Sequence, residues 1–471
     1  MNILTHNKTE LANILANDLI NHYSHVRARI KEGIKGTKNY ISMLERIDDS
    51  TINLALSALK DYIEAIDMEY RNSIERLSKY HIKSHHERTV MTIFGPLTFK
   101  KTFYIDKQTK ESCSYIDDYF GFEKYARIDI HVKSLILEAC CEMSMAAAGR
   151  KISDMIGYRT GSMVKDTNIS KQTVRRFVRN FKLPHKSFER KNNTPDTLFL
   201  MLDEKFLSLQ REEKKKAMVH HAVVFEDMEL VEGHSKRKEL INKYSFATRS
   251  LDGINTSIIN YIYNVYDTDK IKQIYVMGDG ANWIKTSVSE LLMEGCETNF
   301  CLDRFHFKKA LRLIFLDEEK EKKALKAILA NDKKAFTLMC NNMLEERTDR
   351  KDSILQQTAY IKNNWTAARL SYTKNLSCCM EGQVSHNIAS VLSSRPGGYS
   401  IKTLDCLLNM RMAYRNGVDI KKAYLDSYSY ENKRVSKTNY DFSVFDMFYE
   451  KDTYQLGPPE NINFLSRGYM Q

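Results

Sequence analysis

Residues 274–285 read IYVMGDGANWIK. An apolar run stops at Asp279, a glycine stands on each side of that acid, and a helix-forming segment follows. A short block of β-branched, aromatic and apolar residues predicts a buried strand. Gly278 and Gly280 predict a sharp turn that another backbone or a ligand can approach closely. In an open α/β sheet, functional groups gather at the carboxyl ends of strands. The stretch therefore predicts an α/β fold with a working carboxylate at Asp279.

The flanking sequence extends the sheet in both directions. TLFLMLDEKFLSLQ (197–210) reads as a strand carrying Asp203, and KAMVHHAVVFEDMEL (216–230) as a second, with the polar turn REEKK between them. YSFATRS (244–250) is a third candidate strand, INTSIINYIYNVYD (254–267) has helical spacing, and KQIYVMGDG (272–280) is a fourth strand. ANWIKTSVSELLME (281–294) is helical, and NFCLDRFHF (299–307) is a short strand running into a helix. This order predicts a mixed sheet with helices on its faces.

Asp203 is read as the end of its strand. If the strands of Asp203 and Asp279 are neighbours, their carboxylates converge. Two such buried groups repel, and one takes up a proton unless a cation lies between them. Oxygen-only ligands suit Mg²⁺ or Mn²⁺ rather than zinc. A two-metal site needs a third carboxylate. Between Asp352 and Asp405 the chain holds one acid, Glu381, in a segment that is helix-compatible to Leu392 and ends at Pro396-Gly397-Gly398. Glu381 is thus either a metal ligand or an acid at a helix N-terminus favoured by the dipole. The chemistry that calls for such a site is phosphoryl transfer, where paired metals stabilise both the attacking and the leaving oxygen.

The N-terminal half is of a different kind. Residues 1–85 are polar and helix-forming and predict a helical arm, either self-associating or packed on its own chain. Residues 86–125 contain a small β-hairpin module whose strands meet at Gly95-Pro96. Residues 126–184 are helical. In NISKQTVRRFVRNF (168–181), Ser170 and Thr173 lie at a helix start, and Lys171, Arg175, Arg176 and Arg179 share the helix with apolar Val174, Phe177, Val178 and Phe181. A polar-started basic helix of this kind suits a helix-turn-helix, in which Ser170, Lys171, Gln172 and Thr173 reach base edges and the arginines reach phosphates. An ordinary amphipathic helix with a solvated basic face gives the same pattern. Residues 185–197 are polar, contain a proline, and serve as a linker. Residues 196–400 form the sheet domain, and 401–471 a C-terminal tail region.

At this point the chain resembles a known family. MLDEKFLSLQ, MGDGANWIK, CLDRFHF and EGQVSHNIASVLSSRPGGYS together resemble the ISLre-type DDE transposases of bacterial insertion sequences, distant relatives of the Mutator-like group. The resemblance covers most of the chain. It implies a ribonuclease H-like catalytic fold with an Asp-Asp-Glu triad at Asp203, Asp279 and Glu381. It also implies Mg²⁺ or Mn²⁺ at a two-metal site, double-stranded DNA partners (terminal inverted repeats and target DNA) and a homo-oligomer on DNA. Asp203 and Asp279 are 76 positions apart, and Asp279 and Glu381 are 102. The second gap fits an all-helical insertion at about residues 305–370, which read as continuous helix former. Asp303 and His306 match an acid-x-x-His block that Mutator-like elements also show; the resemblance implies a role beside the catalytic site or in holding DNA, and the alternative is Asp303 capping the helix that carries His306. Trp283 is packing at a helix start or a platform for DNA bases. His386 and Arg395 are either phosphate contacts or residues of surface or core packing, the second being the commoner role.

Composition is compatible with this. The 471 residues exceed one compact core and predict two to four domains. Lys and Arg number 72 against 60 Asp and Glu, a net charge of +12, as in many polyanion binders. Nine scattered cysteines form no C-x-x-C pair, which argues against a zinc ribbon or redox motif. No apolar run approaches the ~20 residues of a membrane span, and the N-terminus lacks the apolar core of a signal peptide. The sequence reads as a cytoplasmic, nucleoid-associated transposase. Two alternatives differ in activity: a DNA-binding protein without catalysis, and a ribonuclease H-like nuclease that cuts without joining.

Overall fold

A computed structural model describes residues 37–159, 168–184, 188–233, 238–376, 378–393 and 397–432, with isolated residues between 17 and 28. Two compact units are present, one within Met1–Arg127 and one spanning Ile128–Ser427.

In the first unit a long helix, α1 (Thr37–Arg71), is followed by α2 (Ile74–Lys79) and a sheet of β1 (Tyr80–Thr92), β2 (Gly95–Asp106) and β3 (Ser112–Cys113), then α3 (Tyr115–Phe120). The hairpin starts at Tyr80, inside the stretch read as helical arm. Its turn is Ile93-Phe94, and Gly95 and Pro96 already pair with Thr92 and Met91. Proline is tolerated there because β3 flanks β2 only at Tyr104 and Ile105, so at Pro96 the strand is an edge on that side. Gly95 takes φ +111°, which only glycine adopts readily. Ile63 of α1, Val90, Leu97, Phe99 and Ile116 form the core. Asp67 of α1 is buried and accepts from both the backbone N–H and the hydroxyl of Thr102 (3.1 and 2.6 Å).

The second unit opens with three helices, α4 (Ile130–Cys140), α5 (Met145–Arg159) and α6 (Lys171–Asn180), which pack on one another. Gly149 of α5 lies so close to α6 that an added Cβ would sit 2.4 Å from the Ile169 carbonyl oxygen. Next come β4 (Thr197–Ser208), β5 (Lys216–Phe225), the side hairpin β6 (Asp227–Leu230) and β7 (Lys238–Ile241), β8 (Tyr244–Thr248), α7 (Leu251–Val265), β9 (Gln273–Gly278), α8 (Asn282–Glu290) and β10 (Glu297–Leu302). The main sheet has the order β10-β9-β4-β5-β8. β4, β5 and β8 are successively antiparallel, whereas β9 and β10 run parallel to β4.

Alternation along β4 divides the core. Leu198, Leu200 and Leu202 face α7 and α8 with Ile254, Ile258 and Ile284. Met201 faces the other way, with Met277, Cys301, Met380 and Val384. Five helices stand between β10 and the Glu381 segment: α9 (Arg304–Phe315), α10 (Glu318–Leu329), α11 (Lys333–Glu346), α12 (Lys351–Asn363) and α13 (Trp365–Thr373). They share a core of their own around Phe307, Phe336 and Trp365. The stretch is therefore all-helical and yet not continuous. Asp317 and Asp332 cap new helices by accepting from Lys320 and Ala335 N–H, each at 2.8 Å.

Met380–Val384 forms α14, Ser385–Ala389 a π turn, and Ser390–Leu392 the short α15. α16 (Ile401–Arg415) and α17 (Ile420–Asn432) follow. α16 packs against β8 and α6, so what the sequence presents as a tail begins as an integral helix of this unit. Among the described residues no helix is long and apolar enough to cross a membrane.

Candidate functional site

β4 and β9 pair in parallel with Met201 opposite Met277. Two residues further along each chain come Asp203 and Asp279, so the register sets these carboxylates side by side. β4 runs on to Ser208, so Asp203 lies within its strand and not at the end that the sequence suggested. Its side chain shares the sheet face of Met201, the face that α14 covers.

Burial, aided by the Asp279 and Glu204 charges, pushes the Asp203 carboxyl up to about 6, while the adjacent Glu204 N–H and the His306 ring oppose this. Asp279 Oδ1 accepts from the Ala281 N–H at 2.9 Å, closing the turn into α8. Gly280 takes φ +87°. Asp303 is 7% exposed, caps α9 by accepting from Phe305 N–H at 2.9 Å, and donates its own N–H to the Gly278 carbonyl at 2.7 Å. Burial raises its carboxyl, and the Asp279 and Glu381 charges add to that. His306 Nε2 lies 3.8 Å from Asp303 Oδ2. Glu381 is exposed in the first turn of α14, with Met380 and Val384 anchoring the helix to the sheet.

Asp203, Asp279, Asp303, His306 and Glu381 thus share one electrostatic neighbourhood. The donor set is oxygen-rich, and the Asp203 carboxyl is raised first by burial and further by the neighbouring acids. Such a set fits Mg²⁺ or Mn²⁺. As arranged, no group of three or more His, Cys, Asp or Glu side chains among the described residues closes around a metal ion. Asp203 and Asp279 are the adjacent pair, and Glu381 has to turn inward to join them.

The helical segment reaches back to this turn. Tyr360 of α12 donates its hydroxyl to the Asp279 carbonyl at 2.6 Å. Asn364, 4% exposed, sets its amide against Gly280, where an added Cβ would lie 3.0 Å from Oδ1. The sequence does not mark either residue, because both act on backbone that is distant along the chain. Tyr360→Phe is expected to destabilise the protein by about 1–2 kcal/mol, since it strands a carbonyl. Urea unfolding reads this, and an unchanged midpoint would show that the bond contributes nothing.

Trp283 is half-buried, donates Nε1–H to Glu204 Oε2 at 2.5 Å, and meets the His220 ring edge-on at 4.6 Å between centroids. His386 lies in the π turn and is exposed. Arg395 lies outside the described residues. On α6, Ser170 is the N-cap and accepts from Thr173 N–H at 3.2 Å. Val174 and Val178 are buried, Lys171, Gln172 and Arg176 are exposed, and Thr173, Arg175 and Arg179 are half-buried. Residues 160–167, between α5 and Asn168, lie outside the described residues.

Residues 35–427 match the model of an uncharacterised protein family, UPF0236. Similar proteins occur in Caldanaerobacter subterraneus subsp. tengcongensis. UPF0236 protein TTE0402 is 25% identical over 393 residues, covering 82% of this chain and 75% of its own. UPF0236 protein TTE0610/TTE0881/TTE1053/TTE2432 is 25% identical over 393 residues, covering 82% and 79%. A third, whose name begins TTE0033/TTE0744, is 23% identical over 416 residues, covering 87% and 85%. With 393 consecutive residues matched, from 35 to 427, the chain belongs to UPF0236, an uncharacterised protein family.

Proposed function

We propose that the protein is a DNA transposase of the ISLre type, with a ribonuclease H-like catalytic unit that cuts the ends of its own insertion sequence and joins them to target DNA. The observation that carries this is the parallel register that sets Asp203 beside Asp279, with Asp303 and Glu381 close enough to be felt electrostatically. The name of one relative joins eleven locus designations, as expected of a gene present in many copies. The net charge of +12 supports a polyanionic substrate.

In this reading Asp203, Asp279 and Glu381 would hold Mg²⁺ or Mn²⁺, which when bound would supply charge stabilisation for the attacking and leaving oxygens of an in-line displacement at phosphorus. The chain orients the scissile phosphate and excludes bulk water. In the first step water attacks phosphorus, the bond to O3′ breaks, one water proton is lost to solvent as the 5′-phosphate forms, and O3′ takes up a proton to leave as a hydroxyl. In the second the freed 3′-hydroxyl attacks a target phosphodiester, forming one P–O bond as another breaks. α6 and its arginines track the DNA backbone.

The test uses the full chain and a plasmid carrying the gene with its natural flanks. Mg²⁺- or Mn²⁺-dependent nicking and strand transfer are expected. Cutting without joining would support a nuclease. Binding without cutting would support a non-catalytic DNA-binding protein, the reading favoured by the exposed position of Glu381.

The basic helix gives a separate test. Lys171→Ala with Arg176→Ala is expected to weaken DNA binding about tenfold and to reduce the slope of log affinity against log salt by about 1–2. Fluorescence anisotropy across a salt series measures both. An unchanged slope would remove α6 from the DNA interface.

A further inference from the structure

Arg411 is a cation buried to 1% exposure, with no carboxylate among its hydrogen-bond partners in the described residues. Its guanidinium donates to the Asn387 carbonyl, to the Cys141 carbonyl, to the His386 carbonyl at 2.6 Å and to Ser390 Oγ at 3.0 Å. Arg415 shares the His386 carbonyl at 3.2 Å. Burial lowers the Arg411 guanidinium to about 10, so it remains charged at neutral pH.

Three of the four acceptors belong to the π turn or the residue just after it. A π turn inserts one extra residue into a helix, loosens the regular ladder and recurs at functional sites. This one lies one turn beyond Glu381. Its Asn387 is buried and reaches His221 of β5 at 3.2 Å and Ser245 of β8 at 3.4 Å. His221 is fully buried and pressed down to about 3, so its ring is neutral and Nε2 can accept from the Asn387 amide. The wide turn is pinned to the sheet on one side and to α16 on the other.

The fourth acceptor, Cys141, follows the C-terminal end of α4. Next to it Tyr414 of α16 donates its hydroxyl to Glu142 at 2.6 Å. One guanidinium therefore joins the three-helix segment that carries α6 to the helix that carries Glu381. An apolar side chain would fill the space without the several kcal/mol that desolvating a charge requires. What arginine adds is a rigid fork that fixes several carbonyls at once.

We propose that Arg411 is a positioning residue that holds the π turn, and thereby the rotational phase of the helix presenting Glu381 to Asp203 and Asp279, and ties that phase to the end of α4. Loss of the one-residue insertion would rotate one side of the rod against the other by about 100°, enough to carry Glu381 out of reach of the acid pair. The inference rests on the transposase reading for its activity readout, and backbone exchange gives a readout independent of it.

The experiment compares the full-length wild type with Arg411→Met and Arg411→Lys. Arg411→Met is expected to keep DNA affinity within about threefold. Plasmid cutting is expected to fall by about thirtyfold or more, and half-saturating Mg²⁺ to rise about fivefold, beyond which Mn²⁺ partly rescues. Arg411→Lys, which keeps the charge and loses the fork, falls between. Hydrogen exchange of residues 380–392 without metal is expected to quicken about tenfold in Arg411→Met. Unchanged metal dependence and exchange in a folded variant would overturn the proposal. If Arg411→Met fails to fold, Ser390→Ala decides: it removes one acceptor and is expected to move the same two readouts in the same direction. If the wild type does not cut, the functional reading fails, and the exchange of residues 380–392 alone then tests the positioning role.

Discussion

Asp279→Asn is expected to reduce metal-dependent DNA cutting on the order of 10³-fold, beyond the ~10–100-fold typical of losing an outer partner of a metal ligand. Binding to the same DNA should stay within about threefold, because removing one negative charge does not weaken phosphate contacts. Asp203→Asn should behave alike in activity and opposite in stability. The Asp203 carboxyl is raised to about 6 in the folded chain against 3.8 for the free side chain. Its protonated form is thus favoured by folding: the contribution is fully present below pH ~4 and is lost as pH rises through about 6. Across that window the metal-free protein should lose roughly 1–3 kcal/mol. Asp203→Asn removes the penalty and should melt higher than wild type at pH 7.5 without metal. Mg²⁺ should raise the melting temperature of wild type and not that of Asp203→Asn. Because a ligand carboxylate must be ionised, the apparent metal affinity of wild type should climb between pH 5 and 7 and level off above. Plasmid nicking and thermal melts, each with and without metal, measure all of this. An Asp279→Asn variant that cuts as wild type does would remove the carboxylate pair from the chemistry.

How much of this was legible in the sequence depends on where each group finds its partner. Asp279 was legible because a strand, a pair of glycines and a helix are all local signals. Asp303 was legible for the same reason, as an acid between a strand and a helix. Asp203 was marked by its apolar run, although periodicity could not show that β4 continues five residues past it. Glu381 was found by elimination among the acids, which says nothing of its side-chain direction. Tyr360, Asn364 and Arg411 carried no local mark. Each acts on backbone or amide groups more than twenty residues away, and backbone carbonyls are the same in every sequence. The breaks in the helical segment were visible in principle, since Asp317 and Asp332 are capping residues. The helix-forming lysines, glutamates and alanines around them masked the signal. The π turn left no trace at all, because its residues are those of an ordinary helix.

Gly278→Ala is expected to be the single-methyl change that most disturbs the Asp203–Asp279 pair. A Cβ built there would lie 2.6 Å from Ile284 Cδ1 and 2.9 Å from the Leu202 carbonyl oxygen. The isoleucine tip can turn aside. The carbonyl belongs to β4 and can yield only if that strand moves away from β9. Such overpacking costs about 1–3 kcal/mol, which for a unit of this size lowers the melting temperature by roughly 2–10 °C. Leu202 immediately precedes Asp203, and Gly278 immediately precedes Asp279, so the movement spreads the two carboxylates directly. A displacement near 1 Å at reacting groups can cost ~10²-fold in rate, and cutting should fall by about that much in protein that is still folded at the assay temperature. Gly280→Ala provides the contrast. Its backbone is in the left-handed region and its nearest neighbour is the Asn364 side chain, so it should lose about 1 kcal/mol while β4 and β9 keep their spacing. A Gly278→Ala protein that melts and cuts like wild type would mean that the strands part there without disturbing the acids, and the close packing of β4 on β9 would no longer explain how the pair is held.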